Sequence, residues 1–313
     1  MSESGHLMMG EGKEFDVIRA MLQVWGSRAR GIGDDAAVVG LPAGQQLVVS
    51  TDACVEGVHF RREWLSPEEI GTRAAVAALS DLAAMGALPV GLLLALGVPT
   101  EWTGSLVALA RGVGDAAASA GCPILGGNVT RARDLSLTIT VLGSSSRPLG
   151  RQGVQPGDDL YVTGRLGGPR AAVRAWMEGS TPRMEHRTRF VAPRPRIAEA
   201  RWLSDAGCHA AIDISDGLIA DAGHLAQASG VHLDLDLAAV PCVKAVTLDE
   251  AVSSGEEYEL IVAFPADTPV PQIQFEQRFG LPLTRIGVAR EGTGIALRGA
   301  ERVDHPRGHD HFL

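Results

Sequence analysis

Apolar residues recur along this chain with two periods, and the two alternate. Phe15, Ile18, Met21, Leu22 and Trp25 fall on one stripe of a helix predicted over 14–25. Short apolar runs at 36–39, 46–50 and 55–60, separated by glycine or turn residues, predict strands. Ser66-Pro67-Glu68-Glu69 predicts a helix start, with Ser66 as cap, Pro67 in the first turn and Glu69 placed for a capping box. That helix runs to about Met85 and stops at Gly86. A strand over 90–98, a helix over 103–120 and an alternating strand over 135–142 follow, and Ile124–Arg131 between the last two reads as a strand end and a glycine turn.

Ser144–Asp158 has the composition of a linker. Beyond it the alternation restarts, with strands predicted at 160–163, 210–214, 231–237, 258–264, 284–288 and 295–297 and helices at 167–177, 195–206 and 218–228. No fixed-period repeat is present. The fold class expected is α/β, as α+β-type sheets with packed helices, in two domains: 1–148 and 149–313.

Composition narrows the function. The chain has 313 residues, enough for a substantial core, with 45% apolar and 21% charged residues. A formal net charge of −9 without a basic run, and only 4% aromatics, argue against nucleic-acid binding. Cys54, Cys122, Cys208 and Cys242 show neither a C-x-x-C pair nor zinc-like spacing, and read as reduced thiols of a cytoplasmic protein. The first residues lack the basic and apolar regions of a signal peptide, and the most apolar stretch, 90–98, is too short to span a bilayer.

Four acidic segments carry the chemistry: GIGDDAAVV (31–39), STDACVEGVHF (50–60), SDLAAMGA (80–87) and IDISDG (212–217). Each follows or interrupts an apolar stretch, so carboxylates stand at strand ends or on a helix, where a fold can hold hard cations. Carboxylates alone would repel a polyphosphate, whereas Mg²⁺ joins one or two of them to phosphate oxygens. The only lysines are Lys13 and Lys244, and no G-x-x-x-x-G-K-[ST] string occurs, which excludes a P-loop. Neutralisation then falls to metal ions, to arginines such as Arg131 and Arg151, and to backbone N–H groups. Asp81, predicted near a helix C-terminus, faces the negative end of the dipole, which a bound cation would compensate.

With GGNVTR (126–131), IDISDGL (212–218), SGEEYEL (254–260) and GHDHF (308–312) added, the ordered set resembles the thiamine-monophosphate kinase family. Its superfamily also contains aminoimidazole ribonucleotide synthetase, selenophosphate synthetase and a hydrogenase maturation protein. The resemblance implies the two-domain aminoimidazole ribonucleotide synthetase-like fold, with an N-terminal domain for ATP binding and homodimer formation and a C-terminal α/β domain completing the substrate site. It implies direct, in-line transfer of the γ-phosphoryl group of ATP to thiamine monophosphate, giving thiamine diphosphate, with several Mg²⁺ ions and no general base. The family's metal ligands correspond to Asp35, Ser50 or Thr51, Asp52, Asp81, Asn128, Asp213 and Asp216. Gly127, Arg151 and Ser215 match nucleotide-contacting positions; His59, Glu256 and His309 match positions near the thiamine.

Asn128 stands where the family carries Asp, and His309 where it usually carries an aromatic ring, so one metal site is expected to be weaker and the ring contact smaller. Hydrogenase maturation relies on a C-terminal cysteine and selenophosphate synthetase on a reactive cysteine or selenocysteine before its glycine-rich segment; neither is present. The alternative is a catalytically weakened ATP-binding or regulatory module, which would bind ATP without thiamine-dependent turnover.

Overall fold

The computed structural model of the chain describes residues 12–32 and 35–299. Two compact units divide them: residues up to Leu82 with Ala87–Arg147, and Ala83–Gly86 with the residues from Pro148 onward.

The first unit is built on a four-stranded sheet of order β1-β4-β2-β3, from β1 (Gln46–Val55), β2 (Leu88–Val98), β3 (Ile124–Arg131) and β4 (Ser136–Ser145). The β1–β4 and β4–β2 pairs are antiparallel and β2–β3 is parallel. Alternation gives the sheet two unlike faces. Leu92, Leu94 and Leu96 of β2 and Leu137, Ile139 and Val141 of β4 are buried. On the other face Leu47 and Val49 of β1 are exposed, and Leu93 and Leu142 only half-buried.

Three helices complete this unit: α1 (Lys13–Trp25), α2 (Pro67–Ala84) and α3 (Leu106–Ser119). Trp25 anchors α1 to α3 through its indole N–H, which donates to the Ala110 carbonyl at 2.7 Å. Two glycines let α2 and α3 touch backbone to backbone. A Cβ on Gly112 would lie 1.9 Å from the Glu68 carbonyl oxygen, and one on Gly71 2.1 Å from that of Leu109. The Ser66 cap forms as expected, with Glu69 N–H donating to Ser66 Oγ and Ser66 N–H to the Glu69 carboxylate.

The second unit holds a six-stranded sheet of order β10-β7-β9-β5-β8-β6. Its strands are β5 (Asp159–Thr163), β6 (Ala210–Asp213), β7 (His232–Asp236), β8 (Leu260–Phe264), β9 (Leu283–Arg290) and β10 (Gly294–Arg298). Only β10–β7 is parallel. Leu160, Val162, Ile212, Ile261 and Ile286 pack with Leu218, Ala222 and Leu225 of α7 (Leu218–Ser229) in one apolar core. The remaining helices are α4 (Gly168–Met177), α5 (Met184–Val191), α6 (Ile197–Asp205), α8 (Leu248–Val252) and α9 (Gln272–Phe279).

Several expectations are corrected. Residues 36–39, expected as a strand, form none, and Val38 is 99% exposed: among the described residues the apolar run has no partner strand to bury it. The runs predicted as two strands at 46–50 and 55–60 are one strand, β1, followed by a turn in which Gly57 N–H bonds the Phe60 carbonyl. Ile124–Arg131 is strand throughout, because Gly126 and Gly127 stay in the ladder with β2. The helix predicted from 103 starts as a 3₁₀ turn over Thr100–Ser105. Helices α5, α8 and α9 are too short for their periodicity to stand out.

Candidate functional site

In the first unit, β1 and α2 bring acidic and hydroxyl groups together. Ser50 and Asp52 pair across the ladder with the buried Val141 and Ile139, which places them on the buried face of the sheet. Asp81, in the last turn of α2, accepts a hydrogen bond from Ser50 Oγ. That turn has no basic side chain, so the hydroxyl is one compensation for a carboxylate at the negative end of the helix. Thr51 points to the open face, its hydroxyl 3.0 Å from that of Thr140. Asp35 is exposed just beyond Asp34, outside regular structure.

Asn128 is exposed on β3 and in register with Ala95 of β2, itself opposite Thr138 of β4, which faces Ala53 of β1. Asn128 therefore lies on the open face with Thr51, opposite the face of Ser50 and Asp52, and three strand spacings of about 4.8 Å separate β3 from β1. Gly127 before it has φ 155°, and a Cβ there would lie 1.8 Å from the Leu94 carbonyl oxygen, so the backbone alone occupies that place.

His59 closes the turn after β1. Its Nδ1 accepts from the Val55 N–H at 3.1 Å, which puts the ring proton of the neutral form on Nε2. The turn is braced beside it by Trp102, whose indole N–H donates to the Glu56 carboxylate at 2.9 Å.

In the second unit the candidate site is built on the acidic turn between β6 and α7. Asp213 ends β6 and is buried; Ser215 and Asp216 are half-buried. One oxygen of Asp221, on the first turn of α7, accepts from three successive backbone N–H groups: Ser215 and Asp216 at 3.0 Å and Gly217 at 3.1 Å. Burial, with the charges of Asp216 and Asp213 beside it, pushes the Asp221 carboxyl up to about 7, against the lowering pull of those N–H groups. Ligand atoms of Asp216, Asp221 and His224 lie within 4.8 Å of one another.

The SGEEYEL segment covers the carbonyl side of the same turn. Glu256 N–H donates to the Ser215 carbonyl at 2.7 Å, and Glu257 and Tyr258 N–H groups to that of Ile214 at 3.1 and 3.0 Å. Glu256 and Tyr258 hold φ of 59° and 54°, a left-handed backbone that side chains other than glycine rarely adopt. Arg151 is exposed, and its carbonyl accepts from Ser229 Oγ at 2.6 Å. His309 lies outside the described residues.

Of the residues singled out in the sequence, Ser50 and Asp81 are in contact, as are the backbones of Ser215 and Glu256. Asp216 lies beside Asp221, which sequence reasoning passed over, and the charge of Asp213 also acts on it. Asp221 and His224, three apart on α7, were the signal available for it. The donors in both units are mainly carboxylate and hydroxyl oxygens, a set that fits a hard divalent cation such as Mg²⁺.

Comparison with known proteins places the chain in a family. Residues 33–145 match the family model for the N-terminal domain of AIR synthase related proteins, and 155–299 the model for the C-terminal domain. Thiamine-monophosphate kinase from Salmonella typhimurium is 35% identical over 306 residues, covering 90% of this chain and 91% of that one. The crystal structure of thiamine-monophosphate kinase from Stenotrophomonas maltophilia K279a superposes with TM-score 0.82 at 34% identity, covering 90% and 96%. AaThiL complexed with AMPPCP and TMP superposes with TM-score 0.78 at 29% identity, covering 98% and 100%. In sequence along nearly its whole length, and in the fold of both units, this chain belongs to the AIR synthase related family and, within it, to the thiamine-monophosphate kinases.

Proposed function

We propose that this chain phosphorylates thiamine monophosphate to thiamine diphosphate with ATP, in the cytoplasm, as a step of thiamine diphosphate biosynthesis. The observation that carries the reading is the turn over Ser215–Gly217, which fixes Asp213 and Asp216 from both sides within a family whose named members are these kinases. The structure of a relative holding AMPPCP and TMP together supports both substrates.

Asp35, Ser50, Thr51, Asp52, Asp81, Asn128, Asp213 and Asp216 are the residues that would hold several Mg²⁺ ions. When bound, these ions supply charge neutralisation between two phosphate-bearing substrates. Ser215, Arg151 and Gly127 orient the nucleotide. His59, Glu256 and His309 orient the thiamine. The acceptor phosphate is already an oxyanion near neutral pH, so no side chain takes a proton. Its oxygen forms a bond to the γ-phosphorus in line with the breaking bond to the β,γ-bridging oxygen, and ADP leaves with that electron pair. Positioning, more than covalent assistance, lowers the barrier.

The kinase is proposed to work as a homodimer joined through the open sheet face of the first unit. Exposed Leu47, Val49 and Leu88 support this, since a sheet face bearing such side chains gains from being covered. Among the described residues no helix is long and apolar enough to cross a membrane.

Purified protein incubated with ATP, Mg²⁺ and thiamine monophosphate is expected to form thiamine diphosphate, with free thiamine giving no product. ATP binding without product from either acceptor would favour the weakened binding module. Asn128→Asp is expected to lower the Mg²⁺ concentration needed for half-maximal turnover; an unchanged or higher requirement would remove Asn128 from the ligand set.

A further inference from the structure

Helix starts expose backbone N–H groups, and many phosphate sites use them. The start of α7 does not offer its preceding donors in that way. The N–H groups of Ser215, Asp216 and Gly217 all point to Oδ2 of Asp221, whose side chain is buried beneath the turn. We infer that Asp221 is a positioning residue whose carboxyl oxygen occupies, as an internal acceptor, the backbone donors ahead of α7, so that nucleotide phosphates are held there through the divalent ions of Asp213 and Asp216.

The inference rests on the kinase reading and adds to it a residue that touches neither substrate. Both sides of the turn are fixed by the second unit itself. Asp221 gathers the N–H groups, while the carbonyls of Ile214 and Ser215 accept from residues 256–258. Space is as tight as the bonding: a Cβ on Gly255 would lie 2.6 Å from the Ser215 carbonyl oxygen, and one on Gly217 3.2 Å from the Ser253 carbonyl carbon. With these N–H and carbonyl groups paired, the turn holds the backbone that carries Asp213 and Asp216. Three carboxylates crowd together as a result, which repels a bare phosphate and favours a divalent cation.

The test compares wild type with Asp221→Ala and Asp221→Asn in three measurements. These are amide hydrogen exchange over residues 214–218, equilibrium Mn²⁺ binding without substrates, and the Mg²⁺ concentration for half-maximal turnover. In Asp221→Ala the exchange is expected to rise and Mn²⁺ binding to weaken by about tenfold or more, with a parallel rise in the Mg²⁺ requirement. Asn retains one acceptor oxygen, so Asp221→Asn is expected to fall between.

A folded Asp221→Ala with wild-type exchange and Mn²⁺ affinity would overturn the inference. If Asp221→Ala does not fold, Asp221→Asn decides: wild-type exchange together with wild-type Mn²⁺ affinity overturns it. A wild-type protein that binds Mn²⁺ yet phosphorylates nothing would count against the kinase reading alone, since the exchange and binding comparisons need no turnover.

Discussion

Glu257 lies buried next to Glu256, and its carboxylate accepts from the Gly167 N–H. Burial pushes its carboxyl from the ordinary 4.5 up to about 8, with Glu259 adding to the rise and Ser254 and Gly167 opposing it. Between these values the native state keeps a proton that the unfolded chain has released, so stability falls as pH rises through that window and levels off above it. Urea unfolding from about pH 5 to about pH 8.5 is expected to show this decline, and Glu257→Gln to flatten it; an equal slope in the variant would move the effect elsewhere. At the ligand residues, Asp52→Ala and Asp216→Ala are expected to lose about 100-fold or more in turnover at saturating Mg²⁺ while melting close to wild type. Near wild-type turnover in either would contradict the proposed ligand set. These acids were legible because each stands in a short acidic string at the end of an apolar run. Asp221 was not, because its role depends on three N–H groups converging in space.

At the scale of elements, local chemistry was the readable part. The Ser66 cap and Gly86 fixed the ends of α2 within a residue or two, since capping bonds and the positive φ of Gly86 involve near neighbours. The meeting of α2 and α3 is long-range and left no trace in periodicity. A helical Gly→Ala change ordinarily adds about 1 kcal/mol of stability. Gly112→Ala is instead expected to cost more than about 2 kcal/mol, because its Cβ would enter the Glu68 carbonyl and push α2 off α3. Chemical denaturation measures the loss, and a stabilised variant would mean that the helices separate readily. Since α2 carries Asp81, turnover should fall as well. The absent strand at 36–39 has the opposite lesson: a short apolar run specifies a strand only where a neighbour supplies the ladder.

For the whole molecule, the alternation of strand and helix was enough to predict sheets with packed helices in two domains, while strand order was beyond reach. The units change over between Arg147 and Pro148, within the Ser144–Asp158 stretch. The proposed homodimer gives a test at this scale. Leu47→Lys with Val49→Lys should shift sedimentation from dimer to monomer with the circular dichroism spectrum preserved; a wild-type monomer would end the proposal. The strand orders also bear on how the chain is made. All four strands of the first sheet fall within residues 46–145, whereas β5 sits between β8 and β9 and waits for residues 260–290 before either neighbour exists. A ribosome therefore releases a first unit able to fold at once, followed by a second whose central strand stays unpaired through most of its own synthesis. Chaperone dependence, if this protein has any, should be concentrated in that interval.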